Sequence, residues 1–362
     1  MTYFEELREV TKTIPTSIID FAIPRDRTSP PTQASSNFIT NKEQGDWAED
    51  LIFRAINETS ENYVAVRYGK SDDLIAGDSG FDKFYTDFQD ELDTIGKRPD
   101  LLVFKKTDFD AKLGFDISNL EHSSITDYVK KSIAGLEIRS SAYLVEEYNS
   151  FMNDKNNQLE TRILSIKNEL ISNHNKTLKL KDWFETIENI NSTTIKNSPP
   201  RRAPGWRKDE FKVSSDLIKE MNGLIKLYNT RDYLSITTKV EDLKVVYKWA
   251  KSFNVPHYYF QVFFDNAFGI SFKKILQIIS KEENKGVIFS IEKDTKNQQK
   301  TTIKTNVNQG LLISNNIEKP SHKSCVKKLN RGSLLYFVTF EKGKAPSLVK
   351  ENLKELLYIT DF

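Results

Sequence analysis

Four charged side chains fall inside stretches that otherwise read as apolar β-strand: Asp100 in RPDLLVF, Glu137 and Arg139 in AGLEIRSSAYL, and Lys239 at the end of LSITTK. Alternation at period two puts Leu136 and Ile138 on one face of their strand, so Glu137 and Arg139 share the other. Alone, such a Glu-x-Arg reads as a charge pair on an exposed strand face; partners on neighbouring strands give it another meaning. Two carboxylates and a cation converging from adjacent strands would hold a hard divalent ion such as Mg²⁺ through oxygen. The ion would lower the pKa of a bound water and neutralise charge on a phosphate, while the cation steadied the attacking hydroxide or the transition state. That is the chemistry of metal-assisted phosphodiester hydrolysis. Asp116 in GFDIS is a rival ligand, although Asp-Ile-Ser-Asn also reads as a strand end entering a turn.

The whole chain sets the bounds within which such a site must be built. Its 362 residues suffice for one large domain or two modest ones. Lys+Arg at 53 against Asp+Glu at 51 leaves a formal net charge of +2, so a nucleic-acid surface has to come from local clustering. The single Cys325 cannot form an internal disulfide, and His122, His174, His257 and His322 lack ligand spacing, which argues against a structural zinc. Glu5, Glu6 and Glu9 stand where a signal peptide would be basic and then apolar. With no apolar run near the roughly 18–20 residues that cross a bilayer, the expectation is a soluble, reduced, cytoplasmic protein.

The elements that must position the four charges can be read in order. Residues 1–40 form a short N-terminal segment and an extended arm, the Pro-, Ser- and Thr-rich PRDRTSPPTQASSNFIT. In residues 41–150 QGDWAEDLIFRAINE has helical spacing through Trp47, Leu51, Ile52 and Ala55, and ENYVAVRYGK reads as a strand. An acidic, Gly-containing loop through GDSGFDKF follows, then the strand RPDLLVFKK entered at Pro99. SITDYVKKSIA is helix-like, with Ser123 or Ser124 as cap, and runs into GLEIRSS. Residues 151–230 break this rhythm with a helix through Leu159, Ile163, Ile166 and Leu170 and a Pro-interrupted basic loop, the pattern of an insertion. Residues 231–280 restore it with LSITTK, a helix presenting Leu243, Val246, Tyr247, Ala250 and Phe253, and the aromatic strand VPHYYFQVFFD. Residues 281–362 mix short strands (KGVIFSIE, GSLLYFVTFE) with the helix SLVKENLKELLY. The expected class is α/β, a mixed-sheet core carrying a helical and loop insertion and a C-terminal α+β extension.

Pro-Asp at a strand entrance, followed by a Glu-x-Arg strand and then a helix and strand, resembles the PD-(D/E)XK nuclease superfamily. More narrowly, RPDLLVF, DISNLEHSSITDYVKKSIAGLEIRSSAYLVEEY and LSITTKVEDLKVVYKWAKSFNVPHYYFQVFFDNAFGISFKKIL together resemble type II restriction endonucleases of the AccI-like group, over about residues 40–280. The resemblance implies Mg²⁺-dependent cleavage of double-stranded DNA at a short palindrome, leaving 5′-phosphate ends, with Asp100 and Glu137 as metal ligands. It implies Glu49 as a further ligand from a helix, a homodimer whose twofold axis matches the palindrome, and a companion DNA methyltransferase. A site of the form GTMKAC is the one to try.

The chain departs from the motif at position 139, where lysine is expected and arginine stands. Its pKa is too high for a proton acceptor, yet Arg139 can still orient a water or hold the scissile phosphate. Lys239, on the strand after the insertion, is the candidate ammonium; a solvent-facing lysine at a strand end is the plainer alternative. Two other functions stay open: a structure-specific repair or recombination nuclease, and a catalytically inactive nuclease core that only binds DNA. For DNA contact the basic loop PPRRAPGWRK offers Arg201, Arg202, Arg207 and Lys208 around Trp206. KPSHKSCVKKLNRGS, with Lys327 and Lys328, offers a second patch, and a solvated loop would look the same. YYFQVFF reads as sheet core.

Overall fold

The computed structural model describes residues 1–70, 74–198, 202, 204–293 and 301–362. In chain order its elements are α1 (Tyr3–Thr11), α2 (Ser36–Thr59), β1 (Tyr63–Arg67), α3 (Phe81–Thr94), β2 (Leu101–Lys105), α4 (His122–Val129), β3 (Ala134–Ser140) and α5 (Val145–Asn173). They continue with α6 (Asn175–Leu180), α7 (Phe184–Glu188), α8 (Asp209–Tyr228), β4 (Ser235–Lys239), α9 (Val240–Phe253), β5 (His257–Val262), β6 (Ala267–Ser271) and α10 (Phe272–Ile279). The chain ends with β7 (Phe289–Lys293), β8 (Thr301–Asn306), β9 (Leu311–Ser314), β10 (His322–Lys328), β11 (Leu334–Phe340) and α11 (Lys350–Leu357). The expected mixed α/β class is what the chain adopts. Two compact units divide it, residues 1–145 together with 234–362, and residues 146–233.

The first unit is built on a six-stranded mixed sheet in the order β1-β2-β3-β5-β6-β9. Every neighbouring pair is antiparallel except β3 and β5, which run parallel with Glu137 opposite Tyr259 and Arg139 opposite Gln261. Parallel neighbours cannot be joined by a tight turn, and here everything from α5 to α9 lies between them in sequence. Leu136, Ile138, Tyr258 and Phe260 face a core filled by Trp47, Leu51, Ile52 and Ile56 of α2 and by Leu353 and Leu357 of α11. On the other face Val64, Val66, Leu102 and Phe104 pack with Ile125 and Val129 of α4 and Trp249 and Phe253 of α9. Period-two alternation therefore sends Glu137 and Arg139 to the α9 side.

Four local readings change. SSNFIT is the opening of α2 and not part of the arm, because Ser35 caps the helix by accepting a hydrogen bond from Phe38 N at 3.1 Å. The stretch from Phe81 is helical (α3), its apolar face formed by Phe81, Phe84, Phe88 and Leu92, a periodicity masked by the neighbouring glycines. Glu121, and neither serine, occupies the N-cap position of α4. The strand ending at Lys239 lies in a separate three-stranded sheet, order β4-β8-β7, and not beside β3. The arm itself is strapped down: Arg25 Nε is 2.7 Å from Asp93 Oδ1 of α3, and Lys244 Nζ donates to Ile23 O at 2.7 Å.

Residues 146–233 form their own helical core from Ile163, Ile166, Leu170, Leu178, Ile187, Ile218, Met221 and Ile225.

Candidate active site

The backbone that presents Asp100 is fixed from two sides. Tyr68 N and Gly69 N both donate to the Asp100 carbonyl, at 3.0 and 3.1 Å, and a Cβ on Gly69 would stand 3.0 Å from Asp100 Cα, so only glycine lets β1 exit this close. The Asp100 carboxylate then reaches across to β3, where Oδ2 accepts a hydrogen bond from Ile138 N at 2.6 Å. Glu137 is next to it on that strand and only 1% exposed.

Two cations meet Glu137. Arg139 stands 2.8 Å from Glu137 Oε1 and 2.8 Å from Asp242 Oδ2, Asp242 lying in the first turn of α9. Lys97 contacts the same Glu137 oxygen and lies 3.4 Å from Asp242 Oδ2. Lys97 is held in place by its backbone: its N–H donates to Val245 O of α9 at 3.0 Å. The preceding Gly96, at φ +88°, is where any Cβ would run into Val245 O and Trp249 N. Neither Lys97 nor Asp242 was among the residues picked out by sequence reasoning. The usable signal was slight: a Gly-Lys pair just ahead of Arg-Pro-Asp, and an acid in a helix's first turn that reads equally as dipole compensation.

The electrostatics divide the acids into two groups. Burial works to raise the pKa of Glu137, but Lys97 and Arg139 outweigh it and hold the carboxyl below its usual range. Asp242 behaves likewise: burial is overcome by Lys97, Lys239 and Arg139, and its pKa is pulled down. The same contacts, against burial, hold Lys97 and Arg139 firmly charged. At Asp100 burial, then the charges of Glu137 and Glu49, push the pKa well above the ordinary value; Lys97 and Arg139 also pull it down, but they do not prevail. Glu49, from α2, is pushed up to about 7 by burial, Asp46 and Glu137. Glu137 Oε2 and the Tyr259 hydroxyl are buried on this side of the sheet with no hydrogen-bond partner.

The structure thus brings together Asp100, Glu137, Arg139 and Glu49. Lys239 is exposed, at the junction of β4 and α9, and acts on Asp242 electrostatically. Asp116 is also exposed and its Oδ1 is taken by Ser118, N at 3.0 Å and Oγ at 2.6 Å, in the turn its sequence suggested. Among the described residues no three His, Cys, Asp or Glu side chains stand close enough to form a metal cluster. The donor chemistry nevertheless suits one. Glu49, Asp100, Glu137 and Asp242 gather four carboxyl groups around two contacting cations, Lys97 and Arg139, while Lys239, Arg67 and Lys42 act from further off. Oxygen is the ligand a hard divalent ion prefers.

Of the expected DNA-contacting residues, Arg201 lies outside the described residues. Arg202, Arg207 and Lys208 are exposed, whereas Trp206 packs edge-on against Trp183 and Phe211, ring centroids 6.5 and 6.3 Å away. Lys327 pairs with Asp78 at 2.8 Å, and Lys328 is exposed. All of β5 is buried.

A mixed sheet that gathers charged residues of two adjacent strands on one face is consistent with a nuclease core. Comparison with protein families matches the chain to AccI restriction endonuclease over residues 1–362, and the chain belongs to that family. It is a site-specific restriction endonuclease, a type II deoxyribonuclease and hence a hydrolase. Comparison with curated proteins found no match, and neither did comparison with solved structures.

Proposed function

We propose that the protein hydrolyses both strands of a short palindromic duplex site with Mg²⁺, leaving 5′-phosphate and 3′-hydroxyl ends. What carries this reading is the charge imbalance at β2 and β3: half-buried Asp100 and Glu49 are pushed toward protonation by loss of water and by neighbouring acids, and an orphaned Glu137 Oε2 stands beside them. Asp100, Glu137 and Glu49 are the residues that would hold the ion, which when bound supplies an activated water and neutralises phosphate charge. Lys97 and Arg139, already charged and fixed, hold the non-bridging oxygens of the scissile phosphate, and Lys97 stands where the motif lysine would be needed. Burial beneath α9 keeps these charges from being screened by water, so they act more strongly than they would at the surface.

The Lys97 ammonium also weakens the case for an inactive core, since that case rested on the missing lysine at 139. A homodimer, a companion methyltransferase and a cytoplasmic setting complete the proposal; among the described residues no helix is long and apolar enough to cross a membrane. Digestion of unmethylated phage DNA tests it. Discrete fragments are expected with Mg²⁺ and none with chelator or with Asp100→Ala, where cleavage should fall by about a thousandfold or more. Fragment ends should accept a kinase label only after phosphatase treatment. Intact DNA under every condition would overturn the reading.

A further inference from the structure

The second basic segment of the sequence runs into a two-stranded ribbon. β10 and β11 pair from His322 with Phe340 to Lys328 with Leu334. Leu329 N donates to Ser333 O at 2.9 Å and Gly332 N to Leu329 O at 2.8 Å, and Gly332 takes φ +82°. That is a three-residue hairpin loop in which glycine fills the left-handed position, leaving Asn330 and Arg331 exposed at the tip.

The two faces of the ribbon differ. The inner one carries Leu335 and Phe337 onto Ile39 of α2, and Lys327 pins it to Asp78. The outer face carries Val326 (55% exposed), Leu334 (50%) and Tyr336 (65%), with Lys328 beside them. Three large apolar side chains left in water on a short ribbon point to a covering partner. The charge pattern names the kind: from Lys319 to Phe340 there is no Asp or Glu, and although Lys323 and Lys327 pair with Glu341 and Asp78, Lys319, Lys328 and Arg331 stand exposed.

The ribbon is also built onto the helix that carries Glu49. Val338 N donates to Thr40 Oγ1 at 3.2 Å, the Phe340 ring lies tilted against Trp47 with centroids 6.3 Å apart, and beyond the strand Lys342 reaches Asp50 at 3.2 Å while Gly343 O accepts from Arg54 at 2.8 Å. β11 and its continuation thus run along α2 from Thr40 to Arg54, past the position of Glu49.

We infer that the β10–β11 ribbon is the base-reading element of this enzyme and enters the major groove of its duplex substrate. The major groove is about 12 Å wide and admits a two-stranded ribbon, whose strands lie about 4.8 Å apart. Arg331 at the tip suits the two acceptors of a guanine edge, Asn330 suits adenine, and Val326 with Tyr336 offers apolar contact to thymine methyls; Lys328 meets phosphate. Docking of the ribbon is transmitted through α2 to Glu49, so the same helix joins reading to cutting. This rests on the cleavage activity proposed above and deepens it.

The test is cleavage of unmethylated phage DNA with Mg²⁺ followed by sequencing of the fragment ends, for the parent, Arg331→Ala, Tyr336→Ala and Val326→Thr. Filter binding to a random-sequence duplex and light scattering are run alongside. Parent ends should fall on one motif. Arg331→Ala and Tyr336→Ala should cut that motif at least tenfold more slowly or scatter their ends, Val326→Thr should lose less, and all three should bind random duplex within threefold of the parent. Motif cutting within threefold of the parent would overturn the inference and leave the cleavage activity standing. Equal losses on motif and random duplex would also overturn it, since that is the mark of a phosphate contact. A dimer-to-monomer change in the variants would overturn it too, assigning the face to a second copy of the chain. A parent that makes no ends would overturn the cleavage reading itself, and this inference with it.

Discussion

Residues 146–233 and the sheet unit treat charge in opposite ways. The helical unit buries Ile163, Ile166, Leu170, Ile218 and Met221 together and leaves its ion pairs outside, as with Arg162 and Glu220, 2.8 Å apart with both side chains nearly half exposed. The sheet unit buries Glu137 at 1% exposure against Lys97 and Arg139 and holds half-buried Asp100 beside it. Taking ions out of water costs several kcal/mol apiece, and a buried pair roughly recovers that cost at best. A fold selected for stability alone would place these charges as the helical unit does. The contrast supports the proposal that the α9 side of β3 gave up stability for chemistry.

The contrast breaks most visibly under a core truncation. Ile166→Ala should destabilise the helical unit by roughly 2–5 kcal/mol, the range for emptying a fully buried site, while leaving the cleavage rate unchanged below its unfolding transition. Urea melts and single-turnover digestion, done together, check this; a lost rate with an unchanged melt would show that residues 146–233 take part in the chemistry.

Acid should act on the other unit. His257 lies fully buried on β5 among Trp249, Tyr259 and Phe272, its ring nitrogens unpartnered, and burial takes its pKa down from 6.5 to about 4. Glu137 pulls the other way, with Lys97 and Arg139 reinforcing the drop. The folded state therefore binds fewer protons than the unfolded one, so this stabilisation is complete above pH 6.5 and is lost as pH falls toward 4. The loss amounts to about 3 kcal/mol. Unfolding curves at pH 7 and pH 4 should show it in the parent and a smaller drop in His257→Phe; equal drops would remove His257 from the explanation.

The smallest effect separates two lysines. Lys97→Met should slow cleavage about a hundredfold, as removing one fixed charge-stabilising donor does. Lys239→Met, exposed and acting on the site through Asp242, should cost less than tenfold. The reverse ranking would restore Lys239 to the role first considered for it.

What the sequence showed and concealed follows from the range of the forces involved. Period-two alternation is local, so the strands bearing Asp100, Glu137 and Arg139 and the shared face of the last two could be read directly. The helix α3 was hidden because glycines at its start and acids along it resemble a loop. Lys97 and Asp242 were hidden for a deeper reason. Each meets Glu137 or Arg139 only after the chain has passed through many intervening residues, and a lysine before a strand or an aspartate in a first helical turn looks the same whether buried or solvated. Lys239 was misjudged as a neighbour of β3 because a strand's sheet partners are not written in its own residues: β4 pairs with β8, far downstream.

The central claim is that Glu137 and its neighbours are the cleavage centre. Single-turnover digestion of unmethylated phage DNA by Glu137→Gln, which keeps the side chain's size and removes its charge, tests this most directly when paired with DNA binding and a melt. The account predicts loss of Mg²⁺-dependent cutting with binding retained and the fold intact. Cutting at the parent rate would contradict it and place the chemistry elsewhere on the molecule.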